Sequence, residues 1–353
     1  MIEQLVGTEH LITNLVITLF EKLESSGIRY AVLRNYEDFP NFRRDVDLVL
    51  NTKDLEKWRE IAVEAAKEGG WDFLTECDHW NQSPIRHFNI EPFRFYRLSS
   101  PACLQVDLFH GFLSWGLPLF TEEDLLKDRI SGDNKNFTKI SPLTENLFRV
   151  LQVYQLYLYS SDSRSKIARY TGRIIDFCEH HRESLEDSLQ KTFGVIGKHA
   201  LKSLLAGKKA AFLFYTTLAK SYFVLKCFFR SPIAFFKILF HRVQEHWRLD
   251  KTRQCGFILN AYAPGAPDKD RLVETLRSLQ EANVLYTWTK ADAHIRKTTR
   301  RERKIMAITG IVIKWVEKEA ARLNVENVES KQLALAIMNL LINNHKIIYQ
   351  RET

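Results

Sequence analysis

Asp45 and Asp47 stand two residues apart in DVDLVL, and Asp107 stands inside LQVDLF. Side chains alternate along an extended chain, so residues two apart share a face. Over Asp45–Leu50 this puts Asp45, Asp47 and Val49 on one face and Val46, Leu48 and Leu50 on the other. Neighbouring carboxylates repel, and a divalent cation is the common compensation. Hard ions such as Mg²⁺ or Mn²⁺ take carboxylate oxygens together with the phosphates of a nucleotide. A third carboxylate from a neighbouring strand completes a set that can hold two ions, one at the attacking and one at the leaving oxygen of a phosphoryl centre. Asp107 is the candidate for that third place. A D-x-D pair alone is more simply a loop end on a solvated sheet face, but the third aspartate and the strand before the pair favour the metal reading.

The elements that must position these residues are legible around them. Tyr30 to Leu33 is a short apolar run behind Gly27, and Asn35 to Arg44 is polar loop material with a proline. Phe93 to Leu98 is the expected hairpin partner of Leu104 to Phe109. Leu11 to Leu23 and Leu55 to Lys67 have apolar residues at helical spacing; the first stops at Ser25-Ser26-Gly27, the second at Gly69-Gly70. Trp71 to Cys77 reads as a further strand. His110 follows the third aspartate and is open between a general base, a phosphate contact and a structural role. Cys77, His79 and His87 have a spacing that fits no common zinc pattern.

LRNYEDFP followed by DVDLVL, then VDLFHGFLSWG downstream, resembles the uncharacterised bacterial nucleotidyltransferase-like proteins of the polymerase-beta-type nucleotidyltransferase superfamily. The resemblance is good from Gly27 to Phe120 and looser to about Glu179. It implies that Asp45, Asp47 and Asp107 are both metal ligands and catalytic residues, that Mg²⁺ or Mn²⁺ is the cofactor, and that a nucleoside triphosphate is the substrate. Trp115 and Gly116 match a W-x-G-like element that follows the third aspartate in such relatives. Where the superfamily has a Gly-Ser or Gly-Gly turn after the first strand, this chain has Arg34 and Asn35. These are the expected nucleotide-binding positions, with the Arg34 guanidinium fork suited to phosphate. In the family a helical region after the sheet covers the active site.

Composition sets the frame. The 353 residues, 45% hydrophobic and 27% charged, suit two or three globular domains. The expected fold is α+β. A small mixed sheet with helices on one side forms a catalytic domain over 1–135, followed by a helical domain over 136–250 and a small α/β unit, mostly helical, over 251–353. The five cysteines are scattered without a C-x-x-C pair, which predicts neither a disulfide scaffold nor a zinc site and fits a reducing cytoplasm. MIEQLVGTEH has no basic n-region before an apolar core, so no signal peptide is expected.

The net charge of +8 is concentrated. Between Leu205 and Arg253 ten basic residues face only Glu245 and Asp250, and a second cluster lies at Arg296 to Lys304. Ala210 to Val243 adds a density of Phe and Leu, with Pro232 dividing it into two helices. Two readings stay open there: buried helices with snorkelling lysines, and contact with an anionic partner such as a membrane surface or nucleic acid. The localisation expected is cytoplasmic, with peripheral membrane contact as the open alternative.

Cys255 to Ala261 reads as a buried strand, followed by YAPGAPDKDRL, a helix through Gln280 and a strand near Val284 to Thr287. This resembles the opening of the P-loop domain fused at this point in some relatives, with Lys269 in the Walker-lysine place. A working loop needs G-x-x-x-x-G-K-[ST]. Ala263, Asp268 and Asp270 stand at its glycine and Ser/Thr positions, so a degenerate loop without ATP binding is expected. Helices are expected from Arg301 to Ile348, one with the stripe Ile305, Ile308, Ile311 and Val312, another with Leu333, Ile337, Leu340 and Leu341.

Overall fold

A computed structural model of the chain describes residues 2–34, 36, 39–40, 45–76, 88–99, 102–114, 117–132, 137–159, 164–249, 257–282, 284–285, 287–290 and 310–351. Asn35, Trp115, Gly116, Cys77, His79, His87, Cys255 and the basic cluster at 296–304 lie outside these residues.

A nine-stranded mixed sheet dominates the chain. Its strands are β1 (Tyr30–Arg34), β2 (Asp45–Leu50), β3 (Phe73–Glu76), β4 (Phe88–Arg97), β5 (Ala102–Ser114), β6 (Leu117–Phe120), β7 (Ile130–Ser131), β8 (Thr138–Lys139) and β13 (Lys346–Gln350). The order is β13-β3-β4-β5-β2-β1-β8-β7, with β6 on the far end of β5. The aspartate strands β2 and β5 are therefore central neighbours, and they run parallel.

The faces follow the alternation read from the sequence. Val46, Leu48, Leu50, Leu104, Val106 and Leu108 point to one core, under helices α1 (Ile2–Ser26) and α2 (Leu55–Glu68). α1 is buried through Leu15, Val16, Leu19, Phe20 and Leu23, a helical stripe. It stops at Gly27, whose φ of 72° favours glycine. The opposite face carries Ala31, Leu33, Val49, Phe109 and Phe112, packed with α3 (Glu122–Lys127) and with Phe148 of α4 (Pro142–Tyr159). Phe112 and Phe148 stack at 4.1 Å between ring centroids.

α4 opens the expected helical region, with Ser141 Oγ accepting from the Thr144 amide as its cap. α5 (Arg164–Phe193), α6 (Val195–Leu205), α7 (Lys209–Arg230) and α8 (Pro232–Leu249) follow. Pro232 separates the last two as expected.

The sheet crosses both expected domain boundaries. The short β7–β8 pair puts residues 138–139 in it, because β8 pairs with β1, so 135 is not its end. The C-terminal strand β13 pairs antiparallel with β3 and covers that edge.

The C-terminal unit is α/β as expected, with more of it in strands than the sequence suggested. A parallel sheet of order β10-β11-β9-β12 is formed by β9 (Phe257–Tyr262), β10 (Thr287–Lys290), β11 (Gly310–Trp315) and β12 (Leu323–Asn324). Ile311 and Val312, expected on a helix, lie on β11 and are buried there with Ile313. A continuous β-branched run is what a parallel strand covered on both faces requires. The helix with Leu333, Ile337 and Leu341 is present as α10 (Ser330–Ile342), beside α9 (Ala266–Glu281).

Candidate metal centre

The parallel register places Asp45 opposite Gln105 and Asp47 opposite Asp107. Side chains paired across adjacent strands stand about 5 Å apart. Ligand atoms of Asp45, Asp47 and Asp107 accordingly lie within 4.8 Å of one another. Asp47 and Asp107 are buried, at 1% and 4% exposure, while Asp45 keeps partial contact with solvent.

Arg34 reaches this cluster through a β-bulge. Val32 pairs with Leu48 and Arg34 with Asp47, so Leu33 and Arg34 together oppose one residue of β2. Regular alternation would have sent Arg34 to the α1 side. The bulge turns it to the aspartate face, where its Nε donates to Asp47 Oδ2. The other Asp47 oxygen, Oδ1, is buried and has no hydrogen-bond partner among the described residues. Tyr170 of α5 lies within electrostatic reach of Arg34, so the helical region borders the site.

Gln105 and Arg94 hold Asp107. Arg94 Nε donates to Gln105 Oε1 at 2.8 Å, and its Nη2 donates to the same oxygen. A guanidinium only donates, so the amide oxygen must face Arg94 and the amide nitrogen must face the other way. Gln105 Nε2 then donates to Asp107 Oδ1 at 2.8 Å. Asp107 Oδ1 is thereby held as an acceptor, and a proton on this carboxyl must sit on Oδ2.

The charges carry a cost. Burial is the main cause that pushes the Asp47 carboxyl up to about 6; Arg34 opposes it and Asp45 adds to it. Burial, then Asp47 and Asp45, push Asp107 well above the ordinary carboxylate range. Burial works against the Arg34 charge, but Asp47 more than offsets this and raises its pKa.

The donor set fits a small hard cation. It offers carboxylate oxygens alone, one of them an orphaned buried acceptor, which suits Mg²⁺ or Mn²⁺ and not a soft metal.

Of the expected site residues, Asp45, Asp47, Asp107 and Arg34 come together, and Asn35 lies outside the described residues. Gln105, Arg94 and Tyr170 were not anticipated. Gln105 was within reach of strand parity, being two residues before Asp107; Tyr170 had no signal in the sequence.

His110 is not part of the site. Three residues beyond Asp107 it points to the opposite face, with Nε2 3.1 Å from Glu91 and Nδ1 3.7 Å from Glu122. Burial disfavours its charge, yet the bonds to Glu122 and Glu91 outweigh this and raise its pKa to about 9. An imidazole protonated at neutral pH is no general base.

The degenerate loop is short. Only Ala263, Pro264 and Gly265 separate β9 from α9, too few to wrap a phosphate. Lys269 Nζ lies 5.4 Å from the centre of the Trp315 ring, and Asp268 pairs with Arg271 at 3.1 Å.

No family model and no curated protein matches the chain. The crystal structure of JHP933 from Helicobacter pylori aligns with 70% of this chain and 94% of its own, at 13% identity and a TM-score of 0.28.

Proposed function

We propose that the chain is a metal-dependent nucleotidyltransferase, which moves a nucleotidyl group from a nucleoside triphosphate to a hydroxyl or phosphate acceptor. The observation that carries this reading is the convergence of Asp45 with the buried Asp47 and Asp107, with Asp47 Oδ1 unpartnered among the described residues. A fold seldom retains three adjacent carboxylates and an orphaned oxygen unless a cation completes them.

Asp45, Asp47 and Asp107 would hold Mg²⁺ or Mn²⁺, which when bound neutralises the carboxylates and the triphosphate and polarises the phosphoryl oxygens. Arg34, at the end of β1, offers donors to a phosphate. Asp107 takes the proton of the attacking acceptor at Oδ2, since Oδ1 is committed to Gln105. The acceptor oxygen forms a bond to the α-phosphorus, the bond to the β-phosphate oxygen breaks, and pyrophosphate leaves.

The test is transfer of label from α-phosphate-labelled triphosphates into cell extract, with Mg²⁺, by the wild type and by Asp107→Asn. Loss of transfer by more than about 100-fold is expected, as for removal of a group that is both metal ligand and base. Undiminished transfer in Asp107→Asn removes this site as the catalyst.

A second reading is a catalytically inactive module of the same fold that docks on an anionic partner. The Arg34–Asp47 ion pair favours it, because a protein cation stands where the superfamily has a glycine turn for phosphate. The inactive module has a thermal stability indifferent to Mg²⁺; the enzyme does not.

A further inference from the structure

The aromatic-rich hairpin of α7 and α8 is only half accounted for by packing. One face of α7 is core: Phe212, Thr216, Ala219 and Phe223 are buried, and Lys220, 3% exposed, lies with its ammonium 5.1 Å from the centre of the Tyr154 ring. The other face carries Phe214, Leu218, Tyr222, Leu225 and Phe229, at spacings of three and four residues, and all are exposed. Such spacing makes one continuous stripe.

The stripe continues around the turn at Ser231. Phe229 is 77% exposed and Ile233 85%, so the tip of the hairpin is its most solvent-facing part. Phe236, 57% exposed, and Phe240, 64% exposed, follow on one side of α8. Phe236 also touches Phe228 at 5.8 Å between ring centres, which joins the two helices. An apolar surface of this extent on a water-facing helix pair marks an interaction site.

We propose that this hairpin docks the protein on an anionic lipid bilayer, with Phe229 and Ile233 entering first and Lys226, Arg230 and Lys237 resting at the headgroups. From Ser188 to Gln244 the chain contains ten Lys and Arg and no Asp or Glu. That combination of an apolar stripe and unopposed basic residues suits a negatively charged interface. It disfavours a second copy of the chain, which would bring the same basic residues against each other without an acid between them. Against nucleic acid stands the aliphatic part of the stripe: Phe214, Tyr222, Phe229, Phe236 and Phe240 have faces on which bases could stack, but Leu218, Leu225 and Ile233, the last the most exposed of all, do not. No helix among the described residues is long and apolar enough to cross a membrane, so the contact is with the surface. The inference goes beyond the proposed transfer reaction and does not depend on it, since none of these residues belongs to the aspartate site.

The full chain is floated with vesicles of phosphatidylcholine alone and of phosphatidylcholine with about 30% phosphatidylglycerol, at low and high salt. Binding to the anionic vesicles, weakened by salt, is expected. Phe229→Ser/Ile233→Ser and Lys226→Glu/Arg230→Glu each lower the vesicle partition by about tenfold or more. All four side chains are exposed, so both variants keep the wild-type melting temperature, which is measured alongside. The proposal is overturned if anionic vesicles are not bound, if neutral vesicles are bound equally, or if neither variant changes the partition. It is overturned likewise if, without vesicle binding, Phe229→Ser/Ile233→Ser abolishes a dimer seen by light scattering, or Lys226→Glu/Arg230→Glu abolishes binding of a single-stranded oligonucleotide.

Discussion

Asp107 and Asp47 are equivalent in type but not in what their loss would do. Strand parity alone suggests that Asp47→Asn relieves repulsion and raises stability without metal. The ion pair with Arg34 overturns that, because the substitution leaves a guanidinium facing a neutral amide. Asp107→Asn is the clean relief. It keeps an Oδ1 acceptor for Gln105 and removes the charge that burial and two neighbours oppose. In metal-free buffer Asp107→Asn should melt above the wild type, and Mg²⁺ should raise the melting temperature of the wild type alone. A wild type whose melting point ignores Mg²⁺ would contradict the metal centre. His110 gives the opposite kind of pH dependence. Its pKa rises from 6.5 to about 9 on folding. Its stabilising contribution is therefore complete below about pH 6.5 and disappears as pH rises through about 9. The pairing is worth at most about 3 kcal/mol. Melting curves from pH 6 to pH 10 should show a fall in wild type relative to His110→Gln, and parallel curves for the two would show that His110 is not held charged.

At the scale of elements, two turns decide the geometry. β5 is a thirteen-residue strand that must bend so that its end pairs with β6. Gly111 makes the bend, with φ of 92°, and a Cβ there would stand 2.4 Å from the Phe120 carbonyl oxygen. Gly111→Ala should cost about 3 kcal/mol, read as a lower denaturant midpoint; an unchanged midpoint would mean that the strand end can rearrange freely. The turn between β9 and α9 is decisive in the negative sense. Its three residues leave no cradle, and Lys269 is turned onto Trp315. Lys269→Ala should leave ATP affinity, measured by calorimetry, as it is in the wild type. A marked drop would show that the loop binds nucleotide after all.

At the scale of the whole molecule, the C-terminal residues tie the units together. Thr75 and Tyr96 of the large sheet meet His345, and Tyr96 and Cys103 enter the core of the C-terminal unit. An ionic chain runs from Lys346 through Glu76, Arg59 and Glu91 to His110, linking β13, β3, α2, β4 and β5. The aspartate face of the sheet thus has the helical region at one end and the C-terminal unit at the other. Truncation after Asn344 should uncouple the C-terminal unit and expose the β3 edge, so that calorimetry resolves two unfolding transitions. One transition at the original temperature would show that β13 is dispensable to that coupling.

What the sequence determined by itself is local and periodic. The alternation in DVDLVL dictates which side chains share a face, and the observed cores divide as it requires. The stops at Gly27 and Pro232 follow from φ preferences of single residues. His110 also obeys parity: an odd separation from Asp107 sends it to the other face. The tertiary structure decided what depends on partners distant in the chain. That β2 and β5 are neighbours, and in a register that sets Asp47 against Asp107, rests on pairing across 60 residues. The bulge that aims Arg34 breaks the very periodicity from which faces are read. Ile311 and Val312 look alike on a helix stripe and on a buried parallel strand, since a short apolar run satisfies both, and only the strands flanking it choose. The exposed stripe of α7 is the same case reversed. Its composition is that of a core, and it lies in solvent because the opposite face of that helix has already taken the place in the core.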